Sequence, residues 1–303
     1  MPASRDTARR GDALAQALEL ARRHVPGVGD PEVSWLQSGV SNSSYAVVRD
    51  GCRFALRVAQ SGGIPMGVDR EWERRVLQQV QRARLSPVVE ICLPADGVLV
   101  TCWVEGASWS AGEAAAADKV GVIAALIRKI HGVRSPVLAR TMNPVRWIAL
   151  YRKALAPFLA AGIAAVESPA LLARARQQLQ VYERFGPRPG VLCHSDLHRH
   201  NLIQCGNDLI ILDWEYAHVG DAFWDLAGWL SMNDLSGVSA DTLLAAYLTR
   251  SPLEEERQRL QVLRWFFDYV GLLWISLCGA VLGAHAPPDL AERTQVLLAR
   301  LHS

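Results

Sequence analysis

The chain has 303 residues, 50% of them hydrophobic and 20% charged, with 32 basic against 30 acidic side chains and a net charge of +2. This composition excludes disordered, collagen-like and coiled-coil classes, and the balanced charge leaves no global basic field for nucleic acid or an anionic membrane surface. A chain of this length buries roughly 75% of its surface and sits near the size at which one core divides, so two lobes are expected.

In chain order, the arginine-rich first 24 residues show no apolar leader stretch, so no signal peptide is expected. Residues 33–37 and 45–48 read as short strands, and the Asp50-Gly51 turn leads into a third at 53–59. A second turn, Asp96-Gly97, joins strands at 88–93 and 98–104, and one helix at 68–85 separates the two hairpins. After Glu105-Gly106, alanine-rich helical patterns cover 111–131, 144–161 and 169–185. The cluster Gly186-Pro187-Arg188-Pro189-Gly190 breaks the pattern, and two short strands, 191–193 and 209–212, flank a polar loop. Helices follow at 223–232, 241–248, 253–283 and 289–301. The expectation is an α+β protein with a β-rich lobe at 1–104 and a mostly helical lobe at 105–303.

Residues 269–288 carry no charged side chain, nearly a membrane-span length. Ser276, His285 and Pro287-Pro288 interrupt that stretch, so a buried core helix is the expected reading rather than a span. The six cysteines are widely spaced with no C-x-x-C, which fits neither a zinc ribbon nor a disulfide framework and points to a reducing, cytoplasmic setting.

The chemistry concentrates in residues 191–229. An apolar strand runs into His194-Ser195-Asp196, Asn201 follows Asp196 by five, and a second apolar strand delivers Asp213. One carboxylate and one carboxamide suit a hard, water-keeping cation such as Mg²⁺, and the Asp196 carboxylate beside them could take a proton from an attacking hydroxyl. The H-x-D-x-x-x-x-N pattern with a later Asp is that of kinase-type phosphoryl transfer. Two other readings stand beside it: a plain polar loop with turn caps, and a zinc site built from His194, Asp196, His198 and His200.

Such a site also needs a cation over the phosphates and an acid to hold it. Arg57 lies in the third strand, and the following helix offers Glu71 and Glu73. At about 100° per residue, Val76, Leu77 and Val80 form an apolar stripe with Glu73 at its centre, while Glu71 falls opposite, beside Arg75 at i+4. A carboxylate on a core stripe is costly unless paired, so Arg57–Glu73 is the predicted buried ion pair, with Arg70 or Arg74 as the local alternative for Glu73. The small, polar stretch from Ser38 through Gly39, Ser41, Asn42 and Ser43 could present backbone N–H groups to phosphate, or be a simple hairpin turn. Thr101, Trp103 and Val104, at the exit of the last strand, could hydrogen-bond an adenine edge or merely leave the sheet.

These pieces resemble the aminoglycoside phosphotransferase and choline kinase superfamily. The similarity runs from about residue 35 to 274 and rests on SGVSNSSY, FALRV, DREWE, LVTCWVEG, HSDLHRHNL, LDWEYA and GDAFWDLA. The Asp213-to-Ala217 run is more like the choline, ethanolamine and thiamine kinase branch, in which arginine also replaces the usual lysine at the place of Arg57. The resemblance implies a bilobal protein-kinase-like fold, ATP and Mg²⁺ as cofactors, and a small-molecule alcohol as acceptor. It puts Asp196 in the catalytic place, Asn201 and Asp213 in the metal ligands' places, Arg57 and Glu73 in the phosphate-anchoring places, and Glu215 at an acidic position near the site. Aminoglycoside or sugar kinase activity, or a non-catalytic nucleotide-binding module, are the alternatives.

For the acceptor, Tyr216, Trp265, Asp268, Tyr269 and Trp274 are candidates together with Glu215. The helix from 262 to 277 is apolar nearly all round, so its rings are either core or an aromatic cage for an organic cation. Asp268 is its only acid, either neutralised by Arg264 at i−4 or facing a substrate ammonium.

Overall fold

Alternation of apolar and polar residues builds five antiparallel strands: β1 (Glu32–Ser38), β2 (Asn42–Arg49), β3 (Cys52–Ala59), β4 (Val89–Leu93) and β5 (Val98–Cys102). Their order in the sheet is β1-β2-β3-β5-β4. The computed structural model describes residues 3–38, 41–60, 67–135, 139–162, 167–235, 237–283 and 286–302. Side chains alternate across a strand, so Phe54, Leu56 and Val58 of β3 share one buried face with Tyr45, Val47, Val98 and Val100. Arg57 therefore emerges on the other face, opposite Ser44 of β2 and Leu99 of β5.

Helix α1 (Ala3–His24) covers the first face, seating Ala17, Ala21 and Val25 against those apolar side chains. The sequence reading assigns no element there. Its contact stripe is made of small residues, which carry a weak periodic signal yet let the helix approach closely. Helix α2 (Arg70–Arg82) is capped by Asp69, whose carboxylate accepts the Trp72 N–H at 2.9 Å. Its stripe of Trp72, Val76, Leu77 and Val80 belongs to the core of the helical half, not to the core under α1. The Trp72 indole N–H donates to the Ala217 carbonyl at 2.7 Å, and the Ile211 N–H to the Leu85 carbonyl at 2.7 Å.

The helical half comprises α3 (Ala111–Ala115), α4 (Ala117–His131), α5 (Pro144–Ala160), α6 (Pro169–Arg184), α7 (Phe223–Met232), α8 (Val238–Leu248), α9 (Glu254–Leu282) and α10 (Leu290–His302). The single helix expected at 111–131 is two, because Ala116 is extended (φ −69°, ψ 135°). An alanine-rich composition gives no sign of such a break. Long α9 passes every length and composition test for a span, yet it packs against α5, α6, α7 and α10, with Leu263, Phe266, Tyr269, Leu273 and Leu277 fully buried. That is the packing of a core helix.

Between α6 and α7 the chain makes two small hairpin-like sheets. Strand β6 (Val191–Cys193) pairs with β9 (His218–Gly220), and β7 (Leu202–Cys205) with β8 (Asp208–Ile211). The sequence reading expects only β6 and β8. Their partners, four residues in β7 and three in β9, lie inside the stretch read as a polar loop and its exit, and only the pairing marks them as strands. Just past the sheet, at the start of the helical half, Ala107 bridges Gln204 of β7. Gly106 is required there, since a Cβ would lie 2.2 Å from the Gln204 carbonyl oxygen. All six cysteines are free thiols.

Candidate active site

Two strand ends deliver the acidic groups. After β6 the chain turns through Ser195 at φ 73°, and after β8 it turns through Asp213 at φ 59°. Two non-glycine residues in the left-handed region at one place are strained, and strain of this kind persists only where neighbours hold it. At Ser195 the holder is Asp225 of α7, whose carboxylate accepts the His194 and Ser195 N–H groups, both at 2.8 Å. His131 of α4 braces the same carboxylate at 3.3 Å and is itself bonded to the Tyr247 hydroxyl at 2.8 Å. Burial pushes Asp225 up, but the His131 contact and the backbone N–H groups outweigh it and hold the acid below its ordinary range. Sequence reasoning missed Asp225 and His131. The signal was available: an acid within an otherwise apolar helix is the same anomaly that singled out Glu73.

His194 stitches the two turns together. Its Nε2–H donates to the Leu212 carbonyl at 2.9 Å and its Nδ1 accepts the Asp196 N–H at 3.2 Å. Both ring nitrogens are thereby engaged by the backbone, and burial keeps the ring neutral. His198 Nδ1 likewise accepts the His200 N–H at 3.3 Å. The zinc reading of this histidine cluster is not supported, because both His194 nitrogens hold the loop and, among the described residues, the cluster's ligand atoms do not gather around one point. Among the described residues the group close enough for shared metal ligation is His131, Cys193 and Asp225, whose side chains are already hydrogen-bonded.

Asn201 Nδ2 donates to the Asp196 carbonyl at 2.9 Å and to Asp196 Oδ2 at 3.1 Å, while the Leu212 N–H donates to the Asn201 carbonyl at 2.8 Å. Asp196, Asn201 and Asp213 are thus neighbours. The amide hydrogens of Asn201 are occupied, which leaves its Oδ1 as a ligand atom. Burial and the adjacent Glu215 push Asp213 up, against the pull of Arg57, with Glu73 and Asp196 adding further negative charge. An all-oxygen cluster with surplus negative charge fits a hard divalent cation such as Mg²⁺. Asn201 and Asp213 are the residues that would hold it.

The predicted Arg57–Glu73 pair forms at 2.5 Å, with Glu73 only 2% exposed. Glu71 lies on the open side, paired with Arg74 at 2.5 Å and Arg75 at 3.5 Å. Arg70 shares Glu73 at 2.9 Å, so both readings of that acid hold at once. Arg57 also reaches Asp213 at 2.9 Å, across from the sheet to the turn after β8. Burial opposes the charge on Glu73, but the two arginines outweigh it and keep the acid below its ordinary range.

The remaining candidates for the nucleotide are scattered in their roles. Gly39 lies outside the described residues. Ser43 sits in the β2 ladder opposite Val58, and Thr101 in the β5 ladder opposite Ala55. The side chains of Ser41 and Asn42 are turned to Glu215, at 2.7 Å each. At the strand exit the Trp103 N–H donates to the Arg53 carbonyl at 3.1 Å, and the Arg53 guanidinium covers the Trp103 ring at 4.3 Å. Among the described residues none engages the Val104 N–H.

A cavity of about 660 Å³ opens beside Asp196, lined by Tyr151, Tyr216, Trp224, Phe267, Asp268 and Trp274 among others, with α10 as its outer wall. Trp274 donates its indole N–H to the Tyr216 hydroxyl at 3.0 Å. Asp268 is 4% exposed and pairs with Arg300 of α10 at 3.5 Å, while the expected Arg264 also lends its charge. Arg300 is shared with Asp234 and the Ser231 carbonyl, and burial pushes Asp268 up. Three acceptor candidates do not line the cavity. Trp265 donates to the Leu301 carbonyl at 3.3 Å, and the Tyr269 hydroxyl is bonded to Arg152 and Glu167. Their rings stack on each other at 5.0 Å as core. Glu215, the third, is buried beneath Ser41 and Asn42.

A five-stranded sheet over a helical half, with acids converging at their junction, is the protein-kinase-like fold. The choline kinase LicA from Streptococcus pneumoniae superposes with a TM-score of 0.74 at 17% identity, covering 95% of this chain and 98% of that one. LicA in complex with AMP gives 0.75, also at 17% identity, covering 96% and 98%. In sequence, the thiamine kinase of Escherichia coli (strain SMS-3-5 / SECEC) is 33% identical over 94 residues, 30% of this chain and 33% of that enzyme. The matched stretch spans about a third of the length of the curated relatives. The profile of the phosphotransferase enzyme family matches residues 32–263, and the chain belongs to that family.

Proposed function

We propose that the chain is a kinase that moves the γ-phosphate of ATP, with Mg²⁺, to a hydroxyl of a small molecule bearing an amine or quaternary ammonium, of the thiamine, choline or ethanolamine type. The observation that carries this reading is the double membership of Asp196. It is hydrogen-bonded to Asn201, on the side of the oxygen ligands, and it lines the aromatic cavity that holds Asp268. The thiamine kinase and choline kinase likenesses support the class of acceptor, and the AMP complex of LicA supports an adenine nucleotide. The lobe of residues 1–104 anchors the nucleotide and residues 105–303 carry catalysis and acceptor. Free thiols and a cytoplasmic ATP supply agree with each other.

Phosphoryl transfer leaves little covalent work to the protein, so the chain's part is to position and to balance charge. Asp196 Oδ2 faces Asn201 and, at 3.7 Å, His198, which leaves Oδ1 for the acceptor. That oxygen orients the hydroxyl and takes its proton as the oxygen–phosphorus bond forms and the bond to ADP breaks. Held by Asn201 and Asp213, Mg²⁺ would supply neutralisation of the phosphate charge. Arg57, steadied by Glu73, faces the phosphates from the sheet. Tyr216, Trp274 and neighbouring rings offer their faces to a cation, each adding about 0.5–2 kcal/mol, and Asp268 answers its charge.

An ATP-consumption screen over thiamine, choline, ethanolamine, amino sugars, sugars and aminoglycosides tests the reading. Turnover is expected with a cationic alcohol, lost on chelation with EDTA, restored by Mg²⁺ and abolished in Asp196→Asn. Turnover with neutral sugars alone would reject the acceptor class, and an Asp196→Asn variant as fast as the parent would reject the catalytic role.

A further inference from the structure

We infer that Glu215 and Arg70 form a clamp that fixes the start of β2 for nucleotide binding, and that both are positioning residues with no contact to the acceptor. The inference rests on the nucleotide reading above and assigns the task of one acid within it.

Glu215 has only 3% of its side chain exposed, and both its oxygens are occupied. Oε1 accepts from the Ser41 hydroxyl at 2.7 Å. Oε2 accepts from Asn42 Nδ2 at 2.7 Å and from Arg70 Nη1 at 2.8 Å. Three of its roughly four acceptor sites are taken on the side of the sheet and α2, and Glu215 is not among the residues lining the aromatic cavity. Arg70 closes the ring by donating from Nη2 to Asn42 Oδ1 at 2.6 Å. The Asn42 amide is therefore gripped at its nitrogen by one charged group and at its oxygen by the other. Charge-assisted bonds of this geometry are the strong ones, and they fix rotamers as well as add energy.

The clamp is wired to the phosphate-facing cation. Arg70 Nη1 also reaches Glu73 Oε2 at 2.9 Å, and Glu73 Oε1 holds Arg57 at 2.5 Å. Removing Arg70 leaves two buried carboxylates, Glu73 and Glu215, short of one shared counter-charge, and a buried charge without its partner is costly. Its loss frees the Asn42 amide oxygen and leaves Glu73 to Arg57 alone, so the settings of β2 and of Arg57 change together. Groups on β2, β3, α2 and the turn after β8 thus settle into one arrangement, which is the requirement for a preorganised phosphate site.

The test is titration calorimetry of MgATP into the parent, Glu215→Gln, Arg70→Met, the double variant and the milder Ser41→Ala, with apparent KM values for ATP and acceptor alongside. Each clamp variant is expected to bind MgATP about tenfold more weakly, since both break the charge-assisted Glu215–Arg70 contact. The acceptor KM stays within about twofold. Ser41→Ala, which deletes the bond to Glu215 and the longer 3.3 Å bond from Asn42 Nδ2 but leaves every charge in place, shifts affinity about threefold in the same direction. The double variant is no weaker than the worse single, because the two residues act as one unit. A raised acceptor KM with unchanged MgATP affinity would overturn the clamp and return Glu215 to the acceptor side. Additive losses in the double variant would overturn it as well. Failure of the parent itself to bind MgATP would sink the nucleotide reading, and the clamp with it. Parent-like MgATP binding by every variant would sink the clamp alone.

Discussion

Acid should destabilise this fold through His218, and the size of the effect follows from its surroundings. The ring is 1% exposed, its Nδ1 lies 2.6 Å from the Ser195 hydroxyl, and burial lowers its pKa from 6.5 to about 4 despite the neighbouring Asp225. Between those two values the unfolded chain binds a proton that the folded chain refuses, so stability falls as pH drops through the window and levels off below about 4. The full gap is worth about 3 kcal/mol, of which about 2 kcal/mol is lost between pH 7.5 and 5. The assay is urea unfolding, followed by tryptophan fluorescence, of the parent and of His218→Asn at both pH values. Asparagine keeps an acceptor near Ser195 and cannot be protonated, so the variant should lose about 2 kcal/mol less than the parent over that interval. Buried His194 has the same sign, but it contributes equally to both proteins and cancels. Parallel losses, within about 0.5 kcal/mol, would refute the picture of a histidine locked in its neutral form.

Two further outcomes follow from the ion pairs. Arg57→Ala should lower kcat/KM for ATP by at least about tenfold, whereas Arg75→Ala, on the open side of α2 beside Glu71, should change it less than about twofold; equal effects in steady-state assays would undo the assignment of helix faces. Asp268→Asn should raise the KM of a cationic acceptor about tenfold and leave that of ATP unmoved, and an unchanged acceptor KM would make the carboxylate a partner of Arg300 only.

What the sequence disclosed, it disclosed through local geometry. The spacing of Asp196 and Asn201 and the strand that ends in Asp213 are short-range features. The burial of Glu73 follows from about 100° of helical turn per residue, and alternation along β3 decides that Arg57 faces away from the α1 core. What stayed hidden was long-range or low in contrast. Glu215 meets Ser41 and Asn42 across 174 and 173 positions, and nothing in either segment announces the other. The ring stack of Trp265 on Tyr269 looks, in the sequence, the same as a ring facing a ligand. Only the direction of each hydroxyl and indole N–H separates them from Tyr216 and Trp274. The helix ahead of the first strand eluded periodicity because alanine serves as its contact residue.

The allegiance of α2 has a mechanical consequence. By chain order this helix sits among the strands, yet its apolar side is rooted in the larger core through Trp72, Val76 and Val80. Were the sheet to swing away and admit a nucleotide, α2 would stay behind as part of the fixed wall. The parting line would then run between Arg57 and Glu73 and between Asn42 and the Arg70–Glu215 pair, so that opening the cleft unfastens both and closing it sets both back in place.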